Sequence, residues 1–359
     1  MISTEKLNDI VLQVQALDDE TLQELRYALR ATAESEAYAT WKATESEGKR
    51  CPLPAGVDER IILSRFGLSD EKTMLAKVNV NNDNYLVTDG LWTPAAKRVF
   101  PFTDESEILQ QHIAKGDHID WADIIVDPAT GSGNHAVALG SKPCVACDVN
   151  LRAIAYCVLN VKLNQRKDTT VVWNDLRRGL PPVVSLFGNK KVLFVVNMPF
   201  ALAPAPPPGD ERVSGYLPLS SDGGTTGARM TFAALSAIAD FAAARPSENT
   251  RLALLCYSMG NLEEERWQVV EHAKQLFGEE RVSWSLARDR KMWRVNGVKA
   301  ELNPMSLVEG LPKKADCRYY IQDKDRNEVL TGYQRLAADM NNVGWDALGY
   351  GVLEVRSAS

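Results

Sequence analysis

The stretch from Asp123 to Asn150 gives the strongest indication of how this chain folds. Its apolar run, Ile124–Val126, has the length and composition of a buried parallel strand. Asp127 ends the run, and Pro-Ala-Thr-Gly-Ser-Gly then leads into an apolar segment that begins at Ala136. A strand, a glycine turn and a helix start predict the first βα unit of a nucleotide-binding α/β fold, because glycine lets backbone approach a ligand without a Cβ in the way.

A second apolar run, Cys144–Cys147, ends in Asp148, about twenty residues after Asp127. A carboxylate at the tip of the second strand is placed to accept hydrogen bonds from the hydroxyls of a ribose. A dinucleotide fits this pattern if Ala136 takes the third glycine position, but Asp127 would repel its pyrophosphate. S-adenosylmethionine (SAM) has an ammonium group and no phosphate, so it suits a carboxylate at this position.

The glycine segment D-P-A-T-G-S-G, residues 127–133, resembles motif I of the class I SAM-dependent methyltransferases, and Asp148 resembles their ribose-binding acid. The resemblance implies SAM as the cofactor. A dinucleotide site or a purely structural turn is the alternative interpretation of the same residues.

Apolar runs and helical segments alternate through the rest of the region. Further strands are predicted at Thr170–Trp173, Val192–Val196, Leu252–Cys256, Val282–Ser285 and Tyr350–Val355, and helices at Ala136–Leu139, Leu151–Leu163, Ala228–Ala244 and Leu262–Phe277. This alternation predicts a parallel sheet with right-handed crossovers, which binds ligands at the carboxyl ends of its strands. Four polar residues fall at those predicted ends: Asp127, Asp148, Asp175 and Asn197.

The predicted fold class is α/β, a Rossmann-like class I methyltransferase sheet with helices on both faces, plus an N-terminal helical domain and a hairpin. We expect a helical domain over residues 1–70 and a hairpin with a connecting helix over 71–120. The SAM-binding catalytic domain is expected over 121–359, with an insertion at 286–345. The hairpin is predicted because Asn81-Asn82-Asp83-Asn84 tolerates left-handed turn conformations between two apolar runs.

The segment Asn197-Met198-Pro199-Phe200 resembles the N-P-P-[YF] motif of amino-group methyltransferases, in particular the release-factor glutamine methyltransferases. In that motif the Asn side-chain oxygen and the next backbone carbonyl each accept an N–H, which aims the nitrogen lone pair at the methyl group. The resemblance makes these four residues the catalytic candidates, with Phe200 stacking on the substrate or facing developing positive charge.

Two other segments extend the resemblance. Residues 100–105, Phe-Pro-Phe-Thr-Asp-Glu, resemble the P-R-P-E-T-E region, and residues 217–224 resemble the A-L-x-G-G-x-D-G loop. The arginine of the P-R-P-E-T-E region is absent, Met198 replaces the first proline of N-P-P-[YF], and residues 286–345 have no counterpart. These departures affect the expected protein substrate more than the expected cofactor.

The resemblance also implies a cofactor site. Asp127 and the Gly131–Gly133 backbone would hold the methionine moiety, Asp148 the ribose, and Asp175 the adenine amine unless it simply caps a helix. Asn134 either caps the following helix or touches the amino acid end of SAM. The complete candidate set for the cofactor is Thr103, Asp127, Ala129, Gly131, Gly133, Asn134, Asp148, Val149, Asn174, Asp175 and Asn197.

The resemblance implies methyl transfer to an amino or amide nitrogen of a small molecule or a protein side chain, with a small or amino-acid-like substrate favoured over a protein. The alternative is a methyltransferase-like SAM lyase of the azetidine-2-carboxylate synthase type, in which the SAM amine attacks its own γ-carbon and methylthioadenosine leaves. A SAM sensor or scaffold without catalysis is the third hypothesis.

Composition excludes several classes of protein. The chain of 359 residues has net charge −6 and no basic stretch, so nucleic acid is not expected as a partner. No apolar run approaches the length of a membrane span and no secretory signal is present, so the cytoplasm is expected. No metal is expected, because the sulfonium already activates the methyl group. Cys144 and Cys147 lie three apart on a predicted strand and face opposite sides, so we expect buried free thiols rather than a metal site.

Overall fold

A computed structural model describes residues 4–34, 76–81, 84–89, 99–100, 104–200, 220, 222–261, 263–287, 293–294, 331, 335–336, 338–340, 342–345 and 347–357. A sheet of nine strands forms its centre. The strands are β3 Ile124–Asp127, β4 Cys144–Asp148, β5 Thr169–Trp173, β6 Val192–Asn197, β7 Thr250–Asn261, β8 Arg266–Trp267, β9 Val282–Leu286, β10 Trp293–Arg294 and β11 Ala347–Val355. A separate antiparallel hairpin consists of β1 Ala76–Asn81 and β2 Asn84–Asp89.

The strand order is β10-β11-β7-β6-β3-β4-β5, with β8 paired to β7 and β9 paired to β11. The strands from β5 to β7 in this order pair in parallel, as the alternation of strands and helices predicts. The last strand differs, because β11 runs antiparallel between β7 and β9. The parallel expectation therefore holds for the part of the sheet that carries the candidate site.

Helices cover both faces of the sheet. They are α1 Thr4–Gln15, α2 Asp19–Glu34, α3 Asp104–Lys115, α4 His118–Trp121, α5 Asn134–Ala138, α6 Leu151–Leu163, α7 Pro182–Ser185, α8 Arg229–Ala243 and α9 Gln268–Phe277. Short 3-10 turns occupy Leu176–Arg178, Ser247–Asn249 and Glu279–Arg281. Among the described helices, none combines the length and the apolarity that a membrane span requires.

Side-chain alternation along the strands explains the two layers. On β6, Phe194 and Val196 pack with α8 and α9, whereas Leu193 and Val195 pack with α3, α5 and α6. Both faces of the strand are buried, so its sequence is continuously apolar, as is usual in parallel sheets. The predicted α/β class with helices on both faces is confirmed.

The helix expected at Leu262–Phe277 begins only at Gln268. Strand β7 continues to Asn261, and β8 turns back on it so that Gly260 lies opposite Trp267. Because Gly260 has no Cβ, the Trp267 ring can lie against its backbone, where a Cβ would come within 2.7 Å of the ring. The hairpin therefore replaces the first turns of the predicted helix.

The N-terminal helices pack on helix α6 beside the central sheet. Ile10 and Val14 of α1 and Leu25 of α2 share a buried cluster with Tyr156 and Leu159 of α6. The chain breaks between α1 and α2, where the Thr21 N–H donates to Asp18 Oδ1. The division into segments 1–70, 71–120 and 121–359 stays a prediction. Most of the expected insertion at 286–345 lies outside the described residues.

The cysteine prediction is confirmed for β4. Cys144 and Cys147 are free and buried, and they belong to the cores on opposite faces of the sheet. Burial raises the pKa of Cys147 to about 12 and the pKa of Cys144 well above its ordinary value. Both thiols therefore stay protonated and act as core side chains.

Candidate cofactor and active site

Three neighbouring parallel strands bring candidate residues to one edge of the sheet. Strand β3 lies between β4 and β6 and pairs in parallel with both. Asp127, Asp148 and Asn197 are the last residues of β3, β4 and β6. The carboxyl ends of parallel strands meet at the same edge, so the structure brings these three predicted residues together.

The glycine loop after β3 depends on left-handed backbone at two positions. Gly131 has φ of 55° and Gly133 has φ of 88°. A Cβ at Gly133 would lie 2.9 Å from Cys157 Sγ, so this glycine allows α6 to pack closely against the loop. A Cβ at Gly131 would have no atom within 4 Å, so open space lies beside this part of the loop. That space is where a ligand can approach the backbone.

Asp148 holds the glycine loop in place. Its Oδ2 accepts from the Gly131 N–H at 2.9 Å, and its Oδ1 accepts from the Asn150 N–H at 2.8 Å. Burial raises the pKa of Asp148 to about 6, against the effect of these donors. A carboxylate oxygen has more than one lone pair, so Asp148 keeps acceptor capacity for ligand hydroxyls while it fixes the loop.

Asp127 lies wholly beneath the loop, with 0% of its surface exposed. Its Oδ1 accepts from the Ala129 N–H at 3.3 Å, and among the described residues its Oδ2 has no hydrogen-bond partner. Burial raises the pKa of Asp127 to about 7. The expected direct contact with a ligand amine is therefore not preformed, and Asp127 is a buried carboxyl below the loop that a nearby cation would help to ionise.

Asn134 is the first residue of α5 rather than its cap, because the capping position is Gly133. Its Oδ1 accepts from Ser132 Oγ at 2.9 Å, and its Nδ2 lies 3.5 Å from Ser106 Oγ of α3. Asn134 thus ties the loop to α3. Thr103 lies outside the described residues.

The residues after β4 and β5 form the edge expected for adenine. Asn174 Nδ2 donates to the Gly179 carbonyl at 3.0 Å, and the Val149 carbonyl accepts from Trp173 Nε1 at 2.8 Å. Asp175 caps the 3-10 turn by accepting from the Arg177 N–H, and its two oxygens also accept from the Arg177 guanidinium at 2.8 and 2.7 Å. The Arg177 guanidinium lowers the pKa of Asp175. In the structure, Asp175 therefore caps the 3-10 turn that follows β5.

The Asn197–Phe200 segment leaves β6 with side chains in three environments. Asn197 is half-buried, and among the described residues its side-chain amide has no hydrogen-bond partner. Met198 is buried in the core beneath α8 and α9. Phe200 is 8% exposed and lies in the core on the α3 face. The amide is free at the strand tip, whereas the Phe200 ring is mostly covered by protein.

An aromatic cluster around Phe200 was missed from the sequence. Tyr257 of β7 contacts Phe200 edge-to-face with ring centroids 4.7 Å apart, and Tyr350 of β11 lies 5.7 Å from Phe200. Gly223 packs on the Phe200 backbone, since a Cβ there would lie 2.7 Å from Phe200 Cα. Tyr257 is half-buried and directly follows the predicted strand Leu252–Cys256, a position that could have identified it.

A buried asparagine on α6 was also missed. Asn160 is 0% exposed, and its Nδ2 donates to the Ser132 carbonyl in the glycine loop at 2.7 Å and to the Val87 carbonyl at 2.9 Å. Its Oδ1 accepts from the Val87 N–H at 2.8 Å. Asn160 therefore joins the hairpin to the loop, and nothing in its local sequence identifies that role.

No protein-family model matches this chain, and no curated protein matches it in sequence. Solved structures similar to it include Trm5b from Pyrococcus abyssi, with 13% identity and a TM-score of 0.36 over 64% of this chain and 53% of that one. The chain thus spans about half the length of that protein.

Two further similar structures are methyltransferase-related by name or ligand. TYW2 from M. jannaschii, in complex with AdoMet, is 10% identical with a TM-score of 0.37 over 80% of this chain and 87% of that one. Precorrin-6y C5,15-methyltransferase from Geobacter metallireducens is 9% identical with a TM-score of 0.36 over 78% of this chain and 98% of that one. These similarities assign neither an activity nor an acceptor to this chain.

Proposed function

We propose that this chain is a SAM-dependent methyltransferase that acts on an amino or amide nitrogen. The observation that supports the transfer step most directly is the unpartnered amide of Asn197. It stands at a strand tip next to a glycine loop and a ribose-type acid. Because this amide is half-buried and makes no hydrogen bond within the described residues, it is available to an acceptor nitrogen.

The site fits SAM better than a dinucleotide. Gly131 leaves open space beside the loop, and Asp148 retains acceptor capacity at the second strand tip. Asp127 lies beneath the loop with its pKa raised to about 7 by burial, so a nearby ammonium group would favour its charged form, whereas a pyrophosphate would oppose it. When bound, SAM supplies a methyl group that its sulfonium has activated.

Asn197 is proposed to orient the acceptor. Its Oδ1 accepts an N–H from the substrate, which fixes the direction of the nitrogen lone pair. The resemblance implies that the Met198 carbonyl accepts a second N–H. Tyr257, half-buried beside Phe200, offers an aromatic face to positive charge that develops on the nitrogen.

The acceptor is proposed to be a small or amino-acid-like molecule. The arginine of the P-R-P-E-T-E region is missing, and Met198 stands in place of a proline. The net charge of −6 opposes binding to a polyanion. Transfer RNA is therefore an outcome that the experiment must test rather than the proposed substrate.

The first experiment measures cofactor binding and products. Calorimetry of the full chain with SAM should show binding, and Asp148→Ala should weaken it at least about tenfold, since the variant loses both the loop anchor and the ribose acceptor. Heat with a nicotinamide dinucleotide and none with SAM would overturn the proposal.

The second experiment tests the acceptor. Incubation with SAM and panels of small amines, amino acid amides, peptides and transfer RNA should give S-adenosylhomocysteine with the first two panels only. Methylthioadenosine and azetidine-2-carboxylate from SAM alone would identify a lyase instead. Turnover with transfer RNA alone would keep the enzyme class and overturn the acceptor.

Asn197→Ala tests the orienting role. We expect turnover to fall about 100-fold with SAM affinity unchanged, because a small loss of alignment has a cost of that size. Asn249→Ala is the matched control, since Asn249 donates to the Asn189 carbonyl before β7, away from the candidate site. Equal turnover in the two variants would show that Asn197 does not act in the reaction.

A further inference from the structure

Two histidines on neighbouring helices, α3 and α4, meet a glutamate from the last strand, which is far from them in sequence. His112 is in the last turn of α3, His118 begins α4, and Glu354 is on β11. Nε2 of His112 lies 2.6 Å from Glu354 Oε1, and Nε2 of His118 lies 2.8 Å from the same oxygen. The three ligand atoms all lie within 4.8 Å of one another. We propose that these three residues form a zinc site that stabilises the fold.

The local backbone is built to bring the two imidazoles together. Gly116, in the turn between α3 and α4, packs against the His118 ring, because a Cβ there would lie 2.8 Å from Cδ2 and 3.2 Å from Nε2. The absence of a side chain at Gly116 therefore lets the His118 ring fold back toward His112. The two ring centroids are 6.3 Å apart, with 33° between the ring planes.

The donor set is the one that zinc prefers. Two imidazole nitrogens and one carboxylate oxygen leave a fourth tetrahedral position for water. Zinc-to-ligand distances of about 2.0–2.1 Å separate tetrahedral ligand atoms by roughly 3.3 Å, so the His112 nitrogen would move away from Oε1 by about 0.7 Å and the His118 nitrogen by about 0.5 Å. His112, whose side chain is 26% exposed, provides the access route from solvent.

The second oxygen of Glu354 is held by neighbours that would orient the ligating carboxylate. Ser283 Oγ lies 3.3 Å from Oε2, and Arg356 Nη2 lies 3.3 Å from the same atom. Carboxylate ligands are usually fixed by such outer hydrogen bonds. With Oε2 engaged, Glu354 presents Oε1 alone to the metal, as a monodentate ligand.

The zinc site is separate from the candidate active site. Tyr350, which belongs to the aromatic cluster around Phe200, precedes Glu354 by four residues on β11, which is about 13 Å along a strand. Metal at the cluster would join α3 and α4 to β11. His112 and Glu354, which it would link, are 242 positions apart in sequence. Its role is therefore stabilisation rather than chemistry at the methyl group.

The test uses the full chain, stripped with a chelator and titrated with Zn²⁺ alone. We expect about one zinc ion per chain by calorimetry, and a rise in the unfolding midpoint of about 5 °C at a zinc concentration 100 times the Kd. Mg²⁺ should give no shift, because a site with two imidazoles suits transition metals.

Two variants and a control complete the experiment. His112→Ala, at the most exposed of the three ligands, should weaken zinc binding at least tenfold, and Glu354→Gln should do the same if it folds. His272→Ala is the matched control, since His272 lies on α9 outside the cluster, and should bind zinc like the native chain. The proposal is overturned if the native chain binds no zinc, or if His112→Ala and His272→Ala bind it equally.

Discussion

Asp127 and Asp175 show how position decides the chemistry of one residue type. Asp127 is the last residue of β3 and Asp175 lies just after β5, and the resemblance implies a cofactor contact for both. Asp175 is paired with Arg177, which lowers its pKa, whereas burial raises the pKa of Asp127 to about 7. Desolvation penalises the charged form of a carboxyl and an adjacent guanidinium favours it. The two carboxyls therefore differ in charge near neutral pH.

The raised pKa of Asp127 has a cost to stability with a definite sign. The carboxyl is protonated more readily in the folded chain than in the unfolded one. Protonation therefore stabilises the folded state, and this contribution to stability is fully present below about pH 4. That contribution is lost as pH rises through about 7. Asp148, with its pKa raised to about 6, acts in the same direction.

Asp127→Asn should make the ligand-free protein more stable than the native chain at pH 8, by about 1–4 kcal/mol. The variant cannot ionise, so the difference should shrink as pH falls toward 4. Urea unfolding at pH 4.5, 6 and 8 measures it. A difference that stays constant over this range would show that Asp127 does not titrate near neutral pH in the folded state.

At the level of elements, side chains of helix α6 supply the hydrogen bonds that a neighbouring strand would otherwise give to β2 of the hairpin. The Asn160 side chain forms hydrogen bonds with the backbone N–H and carbonyl of Val87. The Asn164 side chain forms the same two bonds with the backbone of Tyr85. The two asparagines lie one helical turn apart, which matches the spacing of alternate residues on β2. Side-chain amides thus satisfy a strand edge that would otherwise be buried without partners.

Asn160→Ala should lower the free energy of unfolding by about 2–4 kcal/mol, because it leaves the Val87 groups and the Ser132 carbonyl buried without a partner. It should also weaken SAM binding, since Ser132 belongs to the glycine loop. Denaturant unfolding and calorimetry measure the two effects.

Asn164→Ala is the comparison on the same helix, since Asn164 contacts the hairpin but not the loop. It should lower stability to a similar degree and leave SAM affinity unchanged. If both variants reduce SAM affinity equally, the hairpin affects the site through general stability rather than through the Asn160 contact.

For the whole molecule, β11 is the strand that completes the sheet. All nine of its residues are buried, and it pairs with β7 on one side and β9 on the other. Burial of each large apolar side chain contributes about 1.5–3 kcal/mol, so the strand contributes as much as the net stability of a typical domain.

A chain that stops after Trp345 should therefore fail to fold, as judged by circular dichroism and solubility. A chain that stops after Arg356 is the control and should fold with little loss, because it keeps β11 and removes only the Ser357 contact with Arg251 among the described residues. Cooperative unfolding of the shorter chain would show that β11 is an addition to a sheet that is already stable.

Much of the fold could be predicted from local patterns. The apolar runs Ile124–Val126 and Val192–Val196 and the helix Leu151–Leu163 lie where the sequence places them, because period and composition fix a strand or helix within its own segment. The glycine loop and the polar residues at the strand tips follow for the same reason.

Contacts between distant segments could not be predicted in this way. The antiparallel insertion of β11, the Asn160 bonds to the hairpin and the meeting of His112 with Glu354 join residues far apart in sequence. Sequence by itself determined that Asp127, Asp148 and Asn197 lie at the ends of parallel strands, since that depends on local hydrophobic pattern. Only the tertiary structure decided which of those residues are free for a ligand and which are buried or paired, because desolvation and pairing depend on neighbours that the chain brings together on folding.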